Sequence, residues 1–356
     1  MSAVLIGPTS SLLYFTGMSW HPSERLTAAL IHANGKVDYI CPGFEREKVQ
    51  GIIGIPGDIH TWEEDGSPYR LVADRLVRGR LGVDDQVALF TYLGLRHAIP
   101  EDRIADAGPL INRLRRQKSP AELALMTYAK TLTLEVHRRA WKSLTPGVRT
   151  SDVVRFIDNE HRALGADGGN IFCIVSFAQD TALPHGGETD RTLAKGDVVL
   201  IDTGCKVGGY CSDITRTYTF GEATPRMREI WNLEKEAQAA AFEAAHPGAP
   251  CESVDAAARA GLERAGLGPN YRLPGLPHRT GHGIGLDVHE APNLVRGDKT
   301  PLAPGMCFSN EPMIVIPNEF GVRLEDHFYM TESGPRWFTQ PQASIEDPFA
   351  NVPAFA

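Results

Sequence analysis

The chain lacks most of what would place a protein in a membrane, on a secretory route or on nucleic acid. No window of its 356 residues approaches the apolar length that spans a bilayer. The opening, Met-Ser-Ala-Val-Leu-Ile-Gly-Pro, has neither the basic start nor the long apolar core of a signal peptide. Positive charge is in deficit: 36 Lys and Arg face 44 Asp and Glu, for a net charge of −8. No basic stripe offsets that balance, which argues against a nucleic-acid or anionic-membrane partner. Six cysteines are scattered without CxxC spacing, and they read as reduced, buried thiols of a cytoplasmic protein. No Ser or Cys stands in a nucleophile elbow or beside a base, so hydrolysis through such a nucleophile has little support.

What the chain does have is carboxylates embedded in apolar strands. Residues 193–220 hold two runs rich in β-branched and aromatic residues around Lys206-Val207-Gly208-Gly209, the pattern of a β-hairpin. Residues 198–201 are apolar on both pleat faces, as in a strand covered on both sides. A turn centred between Val207 and Gly208 sets Asp202 directly opposite Asp213, with Cβ atoms about 4.5–5.5 Å apart. Two buried carboxylates that close repel each other and resist desolvation, so they share a proton or hold a cation. The cation is the reading adopted.

The device recurs. Leu302-Ala303-Pro304-Gly305 repeats Leu193-Ala194-Lys195-Gly196, and the following apolar run reaches Glu311 where the first copy reaches Asp202. A second hairpin, 307–316 with 322–330, centred at Asn318, makes Glu311 face Glu325. Alternation puts Met313 and Val315 on the Glu311 face and Arg323 on the Glu325 face. Upstream, Pro146-Gly147 with a helix ending at Leu164-Gly165 maps onto Pro247-Gly248 with one ending at Ala265-Gly266, 101 positions later (146 to 247). Residues 120–335 therefore form two copies of helix, Pro-Gly, helix, loop and carboxylate hairpin. The fold expected is α+β: a pseudo-twofold catalytic domain over 113–356, preceded by a smaller α/β domain over 1–112.

In that first domain, 26–41 reads as a hairpin turning at Asn34-Gly35, and helical and strand-like segments alternate over 44–53, 69–77 and 87–91. It shows no catalytic constellation. His21, His32, His60 and His97 are isolated and read as surface or turn residues. Ser119-Pro120-Ala121-Glu122 starts a helix with a Ser cap, Pro at the first position and a capping-box Glu, stopped by Thr145-Pro146-Gly147. Thr224-Pro225 opens another, stopped by Pro247-Gly248, on which Glu234-Lys235-Glu236 reads as a solvated face.

The most specific stretch is 277–290, with His278, His282 and His289 among glycines that let backbone approach a site closely. Four carboxylates and one imidazole suit two divalent ions, Mn²⁺ favoured and Zn²⁺ or Co²⁺ as alternatives. Four negative ligands also neutralise two dications. Two such ions about 3.5–4 Å apart can generate a hydroxide nucleophile and clamp developing charge.

The motifs Leu200-Ile-Asp-Thr-Gly, Ser212-Asp-Ile-Thr-Arg-Thr, Gly281-His-Gly-Ile-Gly-Leu-Asp-Val-His, Asn310-Glu-Pro and Val322-Arg-Leu-Glu-Asp resemble those of the Xaa-Pro dipeptidase (prolidase) and aminopeptidase P family, with its pita-bread fold. The resemblance covers about residues 113–335. Methionine aminopeptidases share the five-ligand pattern, while Pro184-His-Gly-Gly and the extra N-terminal domain favour proline-directed enzymes. By resemblance, Asp202, Asp213, His282, Glu311 and Glu325 are metal ligands, with Asp213 and Glu325 bridging, Asp202 completing one ion and His282 with Glu311 the other. The resemblance further implies attack of a bridging hydroxide on the carbonyl before proline. Glu311 then shuttles the proton, and His289 and His185 hold the substrate and stabilise the intermediate. Arg323 contacts the substrate carboxylate, and His278 lines the proline pocket. Where much of that family has a site-facing tyrosine, this chain has Val315. The implied substrate is a small peptide with proline second, and the implied assembly a homodimer. Alternatives are an aminopeptidase P acting on longer peptides and a non-catalytic binding protein of the same fold. The intact ligand set speaks against the latter and against metal-free, creatinase-type chemistry.

Overall fold

The computed structural model describes residues 1–76, 78–353 and 355. They divide into two compact units, Met1–Arg115 and Arg116–Ala356. None of the described helices is long and apolar enough to cross a membrane.

The first unit is a six-stranded sheet with helices on both faces. Its strands are β1 (Ala3–Ile6), β2 (Ala28–His32), β3 (Val37–Pro42), β4 (Asp58–Trp62), β5 (Leu81–Val83) and β6 (Ile104–Asp106), in the order β4-β3-β2-β1-β5-β6. Its helices are α1 (Ser10–Thr16), α2 (Arg46–Ile52), α3 (Pro68–Arg75), α4 (Leu89–Ala98) and α5 (Gly108–Arg115). Strand alternation divides the core in two. Leu5, Leu30 and Ile40 pack with Val72 and Leu95, whereas Ile6, Ala29 and Tyr39 pack with Leu12 and Val49. The β2–β3 hairpin turns at Asn34-Gly35, where Gly35 takes the positive φ of 86° that glycine allows. Residues 87–91 run into α4 and are not a strand. Val77, the last residue of the 69–77 segment, lies outside the described residues. Two of the histidines read as isolated are not. Parallel pairing of β3 with β4 sets Asp38 beside Asp58, and His32 and His60 both reach Asp38, at 2.9 and 3.1 Å.

The second unit contains the repeat. Its first half comprises α6 (Pro120–Ser143), α7 (Thr150–Ala163), β7 (Asn170–Phe177), β8 (Val198–Val207), β9 (Tyr210–Cys211) and β10 (Ile214–Thr219). Its second half comprises α8 (Pro225–Ala244), α9 (Cys251–Arg264), β11 (Gly281–Gly283), β12 (Glu290–Leu294), β13 (Cys307–Asn310), β14 (Met313–Ile316), β15 (Phe320–Arg323), β16 (Asp326–Thr331) and β17 (Gly334–Trp337). Ser119 caps α6 with a complete capping box to Glu122. The halves match down to single hydrogen bonds. Gly147 N donates to Leu193 O and Gly248 N to Leu302 O, both at 2.8 Å, with φ of 84° and 83° at the two glycines.

Each half covers its sheet with its own helices. Leu132, Val136, Val153 and Ile157 pack on Val199 and Ile201, while Trp231, Ala241, Val254 and Ala258 pack with Phe308, Val322 and Phe328. The halves then join edge to edge. Glu325 N donates to Thr215 O at 3.2 Å, and Thr217 Oγ1 donates to Arg323 O at 2.7 Å. Behind this seam, fully buried Arg216 donates to Asp326 Oδ1 at 2.7 Å and to Glu325 O at 2.9 Å.

The first hairpin departs from its expected register. Val207 pairs with Tyr210, so the turn is Gly208-Gly209, both at positive φ (56° and 82°). Asp202 consequently faces Thr215, not Asp213. Two adjacent glycines accept the left-handed conformation that a two-residue hairpin turn requires, which Val207 at a turn centre would not. The slip is two residues, so the pleat face is preserved and Asp202 and Asp213 still share a side of the ribbon. In the second hairpin, Cys307 pairs with Tyr329 and Met313 with Arg323, the register in which Glu311 meets Glu325. The ladder opens between these segments, where Glu311 N turns to Thr280 O at 2.8 Å.

Candidate metal centre

Strand alternation and the seam between the halves bring the acidic side chains together. Donor atoms of Asp213, His282 and His289 lie mutually within 4.8 Å, as do those of His282, Glu311 and Glu325, and those of Asp213, Glu325 and His327. His282 Nε2 stands 3.0 Å from Glu311 Oε1 and 3.7 Å from Asp213 Oδ2. Its other nitrogen contacts Gly283 O at 3.0 Å, which orients the ring. Ser309 Oγ links the same residues, accepting from His282 N at 2.9 Å and donating to Glu311 Oε1 at 3.2 Å. Thr215 Oγ1 donates to Glu325 Oε2 at 2.8 Å.

Asp202 belongs to none of those three groups. One of its oxygens is paired with Arg323 Nη2, and Asp213 and Thr215 adjoin its carboxylate. Arg323 also donates through Nε to Thr215 Oγ1 at 3.0 Å and through Nη1 to Pro184 O at 2.9 Å. These bonds engage three of its five N–H groups. His289 is exposed and packs edge-to-face on His282, with ring centroids 4.2 Å apart; His185, on the loop after Pro184, is exposed too. His278 Nδ1 contacts Arg279 O at 2.7 Å, and its Nε2 has no partner. Val315 packs in the apolar core of the second half, its backbone paired with Gly275, and offers no hydroxyl.

The electrostatics are those of acids crowded out of water. Burial, then Glu325, Asp202 and Glu311, push the Asp213 carboxyl well above its usual range. Burial, then Glu311 and Asp202, do the same to Glu325. For Glu311, burial is outweighed by His282, His278 and Arg323, which hold it ionised far below that range. Asp202 Oδ1 and Glu325 Oε1 are buried without hydrogen-bond partners, and His282 Nε2 is buried with Glu311 Oε1 beside it. Orphaned buried atoms of this kind each carry a penalty of about 1–3 kcal/mol or more. An oxygen-rich set with one imidazole removes that penalty by ligating divalent ions, so these residues fit such ions.

Three residues escaped the sequence reading, two beside the acids and one behind them on α8. Thr215 was hidden by the register slip. His327 shares the Glu325 face of the strand, a signal alternation contains. The third, Glu234, corrects the solvated-face reading of 234–236: it is fully buried, with no partner on either carboxylate oxygen. It lies on the apolar stripe of α8 with Ile230, Trp231, Ala237, Gln238 and Ala241, whereas Glu236 is exposed. Burial raises the Glu234 carboxyl well above 4.5. Neutral when folded and ionised when unfolded, it makes the native state bind the extra proton, so its contribution to stability falls as pH rises above about 4.5. Glu234→Gln is accordingly expected to raise the thermal midpoint at pH 8 more than at pH 5, as calorimetry of the metal-free protein would register. An equal shift at both values would contradict a buried, neutral carboxyl.

Residues 124–332 match the family model for metallopeptidase family M24, and residues 1–117 match the Creatinase/Prolidase N-terminal domain. The chain is 36% identical to a probable dipeptidase PepE of Mycobacterium tuberculosis over 94% of its own length and 88% of the relative's. It is 33% identical to a Xaa-Pro dipeptidase of Lactobacillus helveticus, covering 94% of this chain and 92% of that one. The crystal structure of dipeptidase PepE from Mycobacterium ulcerans superposes with a TM-score of 0.88 at 33% identity, covering 97% of this chain and 93% of that chain. Family model, relatives matched over most of their length and superposed architecture coincide: the chain belongs to metallopeptidase family M24, with a creatinase/prolidase-type N-terminal domain followed in the chain by a pita-bread catalytic unit.

Proposed function

We propose that this metallopeptidase is an Xaa-Pro dipeptidase working with two divalent ions, Mn²⁺ foremost. The observation that carries the reading is the convergence of donor atoms of Asp213, His282, Glu311 and Glu325 in overlapping groups within 4.8 Å, with Asp202 adjoining Asp213 and held by Arg323. Asp202, Asp213, His282, Glu311 and Glu325 would hold the ions, which when bound would supply a Lewis acid and a nucleophilic water at neutral pH.

The chain's own side chains do the rest. Arg323 neutralises Asp202 and turns its two remaining N–H groups toward the substrate carboxylate, a fork that a lysine could not offer. Glu311, kept ionised by His282, accepts a proton and returns it to the leaving proline nitrogen. His185 and His289 hold the substrate and hydrogen-bond the oxygen on which charge develops. His278 lines the proline pocket with its unpartnered Nε2. The substrate class is supported by the Xaa-Pro dipeptidase among the relatives. Six free cysteines fit a cytoplasmic location, and a homodimer is the assembly proposed.

The test is hydrolysis of Ala-Pro and Leu-Pro before chelation, after it, and after Mn²⁺ is returned. Expected is cleavage that chelation abolishes and Mn²⁺ restores. Faster cleavage of Xaa-Pro-Xaa-Xaa than of the dipeptides would overturn the dipeptidase assignment in favour of an aminopeptidase P.

A further inference from the structure

We infer that His327 is a sixth protein ligand of the metal centre, binding an ion at its Asp213–Glu325 end; the inference rests on the dinuclear reading above. His327 lies on β16, two residues beyond Glu325, so alternation puts both side chains on one face while Asp326 points to the other and is held by Arg216. Across the β13–β16 ladder His327 pairs with Ser309, the residue whose hydroxyl touches both His282 and Glu311. The imidazole is fully buried, and neither of its nitrogens has a hydrogen-bond partner. Its Nε2 stands 3.7 Å from Glu325 Oε1, and one of its nitrogens lies within 4.8 Å of ligand atoms of both Asp213 and Glu325.

The distances decide between a packing role and ligation. Donors bound to one ion at about 2.0–2.2 Å stand about 3–4 Å from each other, and 3.7 Å falls in that interval. It is too long for a hydrogen bond, so Glu325 does not account for the imidazole. As filler, a histidine is a poor choice: each orphaned polar atom is unfavourable by about 1–3 kcal/mol, which leucine in the same space would avoid. Ligation satisfies one nitrogen and adds a neutral donor to a set whose four carboxylates already balance two dications.

Co²⁺ titrations of the wild-type protein and of His327→Leu, followed by dialysis equilibrium and the visible absorption of bound Co²⁺, test the inference. Wild type is expected to bind two ions. In His327→Leu one of the two should weaken at least about tenfold, with an altered Co²⁺ band, while the thermal midpoint of the metal-free protein stays level or rises. Equal affinity and an unchanged band in a folded variant would overturn the assignment. Failure of wild type itself to bind Co²⁺ would instead sink the dinuclear reading, so the two failures are distinguishable. Should the variant not fold, proton NMR of the Co²⁺-loaded wild type decides. Two hyperfine-shifted, exchangeable imidazole N–H resonances are expected, from His282 and His327, and a single one would refute the inference.

Discussion

Glu311→Gln should leave a folded protein that has lost about 10²- to 10⁴-fold in kcat on Ala-Pro, the range for removing a positioned proton-transfer group. The amide keeps the size of the side chain and one oxygen, so the substitution removes charge and basicity with little change in packing. It also deprives His282 of the carboxylate 3.0 Å from its Nε2, so metal content must be measured beside the rate. A full metal complement with a collapsed kcat and nearly unchanged KM isolates proton transfer. If Glu311→Gln kept more than a tenth of wild-type kcat at full occupancy, the proton would have another carrier.

The second large effect lies behind the site. Asp326→Ala should lower stability by about 3–5 kcal/mol, because it strands the Arg216 guanidinium where both partners are completely buried. In a unit of this size that corresponds to a thermal midpoint lower by on the order of 10 °C. Gln238 Nε2, 3.2 Å from the same carboxylate, loses an acceptor as well. Arg216 also donates to Glu325 O at 2.9 Å, so the seam holding Glu325 is expected to loosen and activity to fall with stability. Replacing both members by apolar residues, Arg216→Met with Asp326→Leu, should recover most of the stability without recovering activity. Denaturant unfolding of the three proteins checks this; a destabilisation below about 1 kcal/mol for Asp326→Ala would mean the pair is not the clamp.

Much of the catalytic unit was legible before any coordinates. The Pro-Gly stops, the Leu-Ala-x-Gly openings and the spacing between them are covalent facts, and the helices Thr150–Ala163 and Cys251–Arg264 begin and end 101 residues apart (150 to 251). Ser119-Pro120-Ala121-Glu122 specified its helix start through local hydrogen bonds alone. The misreadings have a common cause. A hairpin centre depends on which residues accept positive φ, and Gly208-Gly209 competed successfully with Val207. Glu234 was weighed by its charged neighbours in sequence, although its spacing from Ile230 and Gln238 already put it on the buried stripe of α8. His32 and His60 stand 28 residues apart (32 to 60) and meet only because β2, β3 and β4 are adjacent strands.

The sequence by itself determined which carboxylates share a ribbon face, because a period of two is built into any extended chain and survives even a two-residue slip. It also determined the duplication and the kinds of donor available. Only the tertiary structure decided which donors meet. The edge-to-edge seam of β10 with Glu325 and Arg323 sets Thr215 and Arg323 against the acids, brings Glu325 and His327 to Asp213 and commits Arg323 to Asp202. Contacts across such a seam join residues more than a hundred positions apart, and no local periodicity encodes them; they follow from how two buried sheets align once their helices have covered them.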